Sequence, residues 1–294
     1  MTNIVKNYFK ILEVISSLNI VLNTEVRAGR KLKMFDLEIV ALSLTAEYMS
    51  IDNENSFFNQ LQNEEISKLI ERSQYNKRRR KLFIFSEKVR TKLASQFLEF
   101  EDYFIVDSMP LEICKLSRHK RIKICKEEFE TAPAKGFCAS QQMYFYGYKL
   151  HGVCSLSGVF QSLDITKANV HDIQFLKNNK QLMTDCVILG DRGYLSATVQ
   201  LDLFQSANIT LETPMRTNQI GFKKQPYIFR KSRKRIETLF SQLCDQFMIR
   251  RNYAKTFEGF KTRILAKITA LTLVQFINKF IFDRPINNIK TQII

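Results

Sequence analysis

Two short apolar runs, each followed by an aspartate, restrict the fold of this chain more than any other feature of its sequence. Asp107 follows Tyr103–Val106, and Asp191 follows Cys186–Leu189 and one glycine. Four consecutive apolar residues between polar ones are typical of a strand that is buried on both faces. We therefore predict two buried strands, each with a carboxylate at its end.

The chain after residue 101 alternates strand-like and helix-like segments. The expected elements follow in chain order: an irregular segment at residues 111–140, a hairpin of residues 144–154 and 159–165, a helix from Asn169 to about Asn178, a helix capped by Ser196, a strand at residues 209–211, a loop, and a helix that carries Glu237. Alternating side chains around a Ser-Leu-Ser-Gly turn indicate the hairpin. This order predicts a mixed α/β fold, in which helices flank both faces of a mixed sheet.

Residues 1–100 carry a different pattern, with helical spacing and neither proline nor strand-like alternation. Short helices with tight turns are compatible with a helix-turn-helix module that binds DNA, and equally with a plain helical bundle. An apolar stripe from Phe260 to Val274 predicts a helical C-terminus. We expect a helical DNA-binding or assembly module at residues 1–100, a sheet domain at 101–283 and a tail at 284–294.

The formal net charge of +16 favours a polyanionic partner. Basic residues gather at positions 77–81 and 230–235, and each cluster could neutralise several DNA phosphates. Two solvated basic faces are the alternative. A membrane surface is also polyanionic, but no long basic amphipathic segment is present, and residues 268–282 are too polar for a spanning helix. We therefore expect nucleic acid, and no membrane, as the partner.

Cysteine and histidine usage argues against a zinc protein. The six cysteines form no CxxC pair, and the chain has only three histidines. Scattered cysteines without a disulfide framework are typical of a reducing compartment. We therefore expect a cytoplasmic protein.

Three carboxylates are the expected metal ligands. Asp107 and Asp191 follow the two apolar runs, and Glu237 lies in a basic helical pattern that could cross their ends. Carboxylate oxygens suit Mg²⁺, and two Mg²⁺ ions about 3.5–4 Å apart can activate the attacking oxygen and stabilise the leaving oxygen of a phosphodiester. In this hypothesis Asp107 bridges both ions, Asp191 holds one and Glu237 holds the other, and Mn²⁺ can substitute.

Each of these acids also has a purely structural interpretation. Asp107 and Asp191 could cap the turns that follow their strands. Glu237 could form a surface ion pair with Arg233, which lies one helical turn earlier. Arg233 could instead hold Glu237 in place or contact the scissile phosphate.

A further pair of polar residues precedes the expected helix at residues 169–178. The sequence favours Asp172 as the cap of this helix over a role in catalysis. Its neighbour His171 could still reach the site and lie beside the metal ligands. The sequence therefore leaves both residues outside the set of expected metal ligands.

Five stretches of the sequence occur together in an order that matches a known family. They are Ile105–Pro110, Tyr146–Gly152, Ala168–Asp172, Leu189–Tyr194 and Arg233–Phe240. Together they strongly resemble DDE transposases of bacterial insertion sequences, over about residues 101–283. The helical start of the chain is also similar to the N-terminal region of one compact, single-reading-frame group within that family.

This resemblance implies a ribonuclease H-like fold, Mg²⁺ as the metal, and a catalytic triad of Asp107, Asp191 and Glu237. The implied activity is cutting at the terminal inverted repeats of the element and joining of the freed 3′-hydroxyls to target DNA. Strand transfer needs two DNA ends held together, so a homodimer or a larger assembly on double-stranded DNA is expected. The implied location is the bacterial cytoplasm, in association with the nucleoid.

The resemblance and the two basic clusters together predict which basic residues contact DNA. Arg233 matches an arginine that lies four residues before the glutamate in a family signature, whereas Arg230 and Cys244 stand where that signature has a tyrosine and a lysine. Neighbouring basic residues could substitute for that pair. The expected DNA contacts are Arg192, Arg230, Lys231, Arg233, Lys234 and Arg235 in the sheet domain, and Lys77, Arg78, Arg79 and Arg80 in the helical module.

Two other functions remain open at this point. The same carboxylate site could serve a ribonuclease H-like nuclease that cuts DNA without joining it. A catalytically silent DNA-binding repressor is the alternative from another class. The three intact acids argue against the repressor.

Overall fold

A computed structural model describes residues 2–20, 32–98, 101–179, 183–215, 217–218 and 221–294. The helical pattern expected at residues 21–31 and 99–100 lies outside these described residues. The chain divides into two compact units, a helical unit of residues 1–96 and 243–294, and a sheet unit of residues 97–242. None of the six cysteines forms a disulfide.

The helices within the described residues are α1 Asn3–Ser17, α2 Asp36–Tyr48, α3 Glu54–Leu61, α4 Arg72–Lys81, α5 Phe83–Ser95, α6 Ile173–Asn179, α7 Ala197–Ala207, α8 Tyr227–Asp245 and α9 Phe257–Phe276. The strands are β1 Tyr103–Cys114, β2 Ala134–Cys138, β3 Met143–Ser155, β4 Phe160–Lys167, β5 Cys186–Leu189 and β6 Ile209–Glu212. Short 3₁₀ turns occupy Glu65–Lys68, Leu116–Arg118 and Arg192–Tyr194, and a π turn occupies Ile277–Ile281.

The strands form one mixed sheet with the order β2-β3-β1-β5-β6, and β4 also pairs with β3. β1 is antiparallel to β3 and parallel to β5, which is in turn parallel to β6. Apolar side chains from β1, β5, β6, α6 and α7 form one core cluster. The predicted α/β class is confirmed, and the order of strands and helices is that of a ribonuclease H-like fold.

The first strand is longer than the sequence predicted. β1 does not end before Asp107 but continues to Cys114, because residues 108–114 pair with β3 after the pairing with β5 has stopped. The expected irregular segment at residues 111–140 is wrong at both ends, since residues 134–138 form β2 on the other side of β3. The hairpin of β3 and β4 and the cap of α7 by Ser196 are confirmed.

In the helical unit, α9 packs against α2, α4 and α5. By length and composition alone, Phe257–Ile281 could cross a membrane. We expected residues 268–282 to be too polar for this, but most of the polar residues in this segment are uncharged. Most of this segment is buried inside the unit, as in the core helix of a globular protein, and it does not indicate a membrane protein. Because α9 packs with α2 and α5, residues 243–283 belong to the helical unit, not to the sheet unit expected for them.

The basic cluster on α4 is partly internal. Arg79 is 5% exposed and donates to Glu54 Oε1 at 2.7 Å. Arg78 donates to Asp36 Oδ1 at 2.5 Å and to the Met34 carbonyl at 2.8 Å. The expectation that these two arginines contact DNA is therefore corrected, because their guanidinium groups are held by acids of their own unit.

Candidate active site

Asp107 and Asp191 lie just past the end of the parallel pairing between β1 and β5. The last parallel pair between β1 and β5 joins Ile105 to Leu189. Each aspartate follows its member of that pair by two residues, so the two carboxylates leave the sheet at equivalent positions. The two apolar runs place both acids where the sequence predicted them, although only β5 ends there.

Local hydrogen bonds hold both carboxylates. Asp107 Oδ1 accepts from the backbone N–H of Ser108 at 2.8 Å. Asp191 Oδ1 accepts from the N–H of Gly193 at 2.7 Å and caps the short turn that follows. A Cβ atom at Gly193 would lie 2.9 Å from Asp191 Oδ1, so a larger residue would displace this carboxylate. Glycine at this position therefore lets the Asp191 carboxylate fold back onto the turn.

The electrostatics of Asp107 show which residues surround it. Burial raises its pKa to about 7, and the N–H of Ser108 opposes the increase. Asp191 and Glu237 raise this pKa further, whereas Arg233 lowers it. Asp191 and Glu237, which are 84 and 130 residues after Asp107 in the sequence, therefore both lie close enough to Asp107 to influence its pKa.

Helix α8 supplies Glu237 and Arg233. Ile236 and Phe240 are buried, and Glu237 lies at the exposed edge of their stripe. In the described part of the chain, Arg233 forms no ion pair with Glu237, and its buried Nε has no hydrogen-bond partner. The surface ion pair expected as an alternative for these two residues is therefore not present, and Arg233 keeps a donor for another acceptor.

A second polar cluster, formed by Ser108, Lys149, His151 and Asp172, adjoins these acids. Asp172 Oδ1 accepts from Ser108 Oγ at 3.1 Å and from Lys149 Nζ at 3.0 Å. Asp172 directly precedes α6, as expected, but its carboxylate serves β1 and β3. The sequence predicted Asp172 as a helix cap, and its contacts with β1 and β3 are visible only in the structure.

His151, rather than His171, is the histidine of this cluster. His151 is fully buried, its Nε2 lies 2.7 Å from Thr166 Oγ1, and its Nδ1 lies 3.9 Å from Asp172 Oδ1. Burial lowers its pKa to about 4, although Asp172 opposes this effect, so the ring is neutral near pH 7. His171 is exposed, and its Nδ1 accepts from the N–H of Ile173 at the start of α6. The expected position of His171 beside the metal ligands is therefore corrected.

Tyr194 contributes an unpaired polar atom to the same region. Its side chain is 1% exposed, and its hydroxyl lies near Ser108 without a hydrogen bond of normal geometry. Burial raises the pKa of this hydroxyl well above its usual value, and Asp172, Asp107 and Asp191 add to the increase. The Tyr194 hydroxyl therefore adds a polar group beside the carboxylates of Asp172, Asp107 and Asp191.

The donor set suits a hard divalent cation that shares its coordination shell with water and phosphate. The candidate ligands are the carboxylates of Asp107, Asp191 and Glu237. Across the described ranges, no three His, Cys, Asp or Glu side chains are grouped closely enough to enclose a metal ion. The three acids therefore form an open site that does not enclose a metal ion by itself. The Tyr194 hydroxyl and Arg233 Nε supply further polar groups.

Basic residues extend from this region along the surface of the sheet unit. Arg192, Arg230, Lys231 and Lys234 are exposed, and Arg235 is half-buried. The Arg230 guanidinium lies 5.9 Å from the centre of the Tyr227 ring. The positions of these side chains are compatible with contact to a polyanion.

Replacing Asp107 with asparagine is expected to stabilise the metal-free protein. A folded-state pKa near 7 means that the folded protein binds the proton more tightly than the unfolded chain, so stability falls as pH rises from about 4 to 7. One pKa unit corresponds to about 1.4 kcal/mol, and partial access to water reduces the total to roughly 2 kcal/mol. Melting curves in chelator should show no difference near pH 4 and a higher Tm for Asp107→Asn at pH 8. Equal Tm values at pH 8 would contradict the buried charge.

Comparison with known protein families identifies a family for this chain. A family model described as the transposase DDE domain matches residues 99–273, more than half of the chain. The matched range begins four residues before β1 and includes Asp107, Asp191 and Glu237. No curated protein matches the chain.

Proposed function

The chain belongs to the transposase DDE domain family, and from this membership we propose that it cuts DNA at the terminal inverted repeats of a bacterial insertion sequence and joins the freed 3′-hydroxyls to target DNA. Transposases of this family act on DNA as divalent-metal-dependent enzymes of the polynucleotidyl-transferase type. The observation that carries the proposal is that Asp191, Glu237 and Arg233 all lie close enough to Asp107 to shift its pKa.

The proposed catalytic residues are Asp107, Asp191 and Glu237, which would hold two Mg²⁺ ions, or Mn²⁺ in their place. The bound ions would stabilise charge on the attacking and leaving oxygens of the phosphodiester. Asp107 supplies a carboxylate that burial, with a smaller contribution from the neighbouring acids, keeps partly protonated near pH 7, so binding of a cation would release its proton. Arg233 offers its unpaired Nε to a phosphate oxygen.

The proposed path for DNA follows Arg192 and the exposed basic residues of α8, and Lys77 and Arg80 serve the helical module. These side chains contact phosphates, which position DNA but carry no sequence information. The helical module would bind the end of the element. Two ends must be held together for strand transfer, so we propose a homodimer or a larger assembly in the bacterial cytoplasm.

Replacing Lys231 and Lys234 together with glutamine is expected to weaken binding to all DNA sequences by a similar factor. Each phosphate contact removed should reduce the slope of log K against log salt by about 1. Fluorescence anisotropy at several salt concentrations measures this slope. The matched control is Lys88→Gln with Lys92→Gln, two exposed lysines of α5 outside the proposed path. An unchanged slope for the α8 variant would remove both lysines from the DNA path.

A single assay tests the proposed reaction. Labelled inverted-repeat DNA is incubated with the full chain, a second duplex and Mg²⁺, and both nicking and attachment of the new 3′ ends are followed. We expect both products. Nicking without attachment would favour a ribonuclease H-like nuclease, and binding without nicking would favour a repressor.

A further inference from the structure

Asp172 lies between the two segments that carry Asp107 and Asp191. Its Oδ1 accepts from the hydroxyl of Ser108, the residue after Asp107, at 3.1 Å. A Cβ atom built on Gly193, two residues after Asp191, would lie 3.5 Å from Asp172 Oδ2. The same atom would lie 2.9 Å from Asp191 Oδ1. One carboxylate thus accepts a hydrogen bond from the strand segment of the first acid and lies beside the turn of the second.

Lys149 holds Asp172 in this position. Its ammonium group donates to Asp172 Oδ1 at 3.0 Å and to the Val170 carbonyl at 2.9 Å. The two side chains are only 15% and 26% exposed, so the pair is partly removed from water. A fourth carboxylate beside three others would otherwise add to their repulsion, and Lys149 offsets its charge. The ion pair therefore lets a carboxylate lie here as a hydrogen-bond acceptor.

The two oxygens of Asp172 have different surroundings. Oδ1 already accepts two hydrogen bonds, and Oδ2 lies on the side of Gly193, where a built Cβ atom would be 3.5 Å away. His151 closes the side towards β3, where its neutral ring lies 3.9 Å from Oδ1. An oxygen that is engaged in this way is better placed to orient neighbouring groups than to bind a cation itself.

We propose that Asp172 is a positioning residue that sets the separation of Asp107 and Asp191, through Ser108 on one side and the turn at Gly193 on the other. This inference rests on the proposed function of those two aspartates. It goes beyond the three acids that the family resemblance implies. It also gives Lys149 a role, since loss of the lysine would free the carboxylate from its position.

The test compares Asp172→Ala with Asp172→Asn in the full chain. Alanine removes the acceptor, so we expect kcat for metal-dependent cleavage and the affinity for Mn²⁺ each to fall about 10–100-fold. Asparagine keeps an acceptor oxygen for Ser108 and Lys149, so it should retain most of both, within about fivefold. Isothermal titration with Mn²⁺ alone measures affinity without relying on activity, and DNA binding should be unchanged.

Two further variants keep the result interpretable. Asp164→Ala is the matched control, because Asp164 is a half-buried carboxylate of β4 that accepts from the N–H of Ile165. It should leave Mn²⁺ affinity unchanged. If Asp172→Ala does not fold, as judged by circular dichroism, Ser108→Ala decides, because it removes only the hydroxyl contact. A several-fold loss of Mn²⁺ affinity is expected for Ser108→Ala, and wild-type affinity would overturn the proposal.

The other outcomes separate this inference from the proposed function. Wild-type affinity and kcat in Asp172→Ala would overturn the positioning role, as would an equal loss in the alanine and asparagine variants. A loss as large as that of Asp107→Asn would also overturn it, because Asp172 would then act as a ligand. If Asp107→Asn itself kept full cleavage, the proposed function would fail first.

Discussion

Replacing Asp107 with asparagine is expected to abolish metal-dependent cleavage of inverted-repeat DNA, with a loss on the order of 10³-fold or more. Asparagine keeps the shape of the side chain but cannot carry the negative charge that a bridging ligand of two cations requires. Affinity for the same DNA should change little, because phosphate contacts come from basic side chains. Single-turnover cleavage and fluorescence anisotropy measure the two properties separately.

Asp191→Asn and Glu237→Gln are expected to behave in the same way. Asp185→Asn is a suitable control, since Asp185 is an exposed acid of the same unit that accepts from Asn208 at 2.9 Å. It should cleave at the wild-type rate. Full activity in any one of the three acid variants would remove that residue from the proposed site, and full activity in all three would end the proposal for the reaction.

The positions of Asp107 and Asp191 could be predicted because the local sequence determines them. An apolar run predicts a buried strand, and parallel neighbours bring the ends of such strands together. Glu237 was harder, since an exposed glutamate beside an arginine at this spacing usually forms a surface ion pair. Its place at the edge of the apolar stripe of its helix and its order relative to the other motifs distinguished it, and the three-dimensional structure adds its influence on Asp107.

The contacts of Asp172 and the length of β1 could not be predicted in this way. β1 continues past Asp107 because β3 pairs with it there, and pairing between distant strands leaves no local signal. The same register places His151 opposite Ser108, which brings the buried histidine into the cluster of Asp172. An aspartate before a helix carries the same sequence signal whether it caps the helix or bonds to another strand.

The basic cluster on α4 shows that a run of basic residues does not by itself predict which of them are exposed. Lys77–Lys81 was predicted as a DNA-contacting face, yet Arg79 lies one turn after the buried Tyr75 and points into the unit. A run of basic residues on a helix must place some of them on the buried face. Two charged residues among buried neighbours indicated that this unit has internal ion pairs. They are Glu47 on α2 and Lys267 on α9.

Replacing Lys267 with methionine is therefore expected to lower the free energy of unfolding by about 3–5 kcal/mol. Lys267 is fully buried and donates to Glu47 Oε2 at 2.5 Å and to the Phe247 carbonyl at 2.7 Å. Without the ammonium group, a carboxylate that is 1% exposed keeps, among the described residues, only the ion pairs with Arg263 at 3.7 Å and Arg79 at 4.0 Å. Urea unfolding followed by circular dichroism at 222 nm reports on the helices of this unit.

Two comparisons identify the buried charge as the cause. Lys261→Met makes the same change on the same helix, but Lys261 pairs with the exposed Glu258, so the loss should stay below about 1 kcal/mol. Adding Glu47→Gln to Lys267→Met removes the unpaired carboxylate and should recover at least half of the lost stability. The remaining loss reflects the unsatisfied Phe247 carbonyl, at about 1–3 kcal/mol. A double variant as unstable as the single one would mean that packing, rather than charge, accounts for the effect.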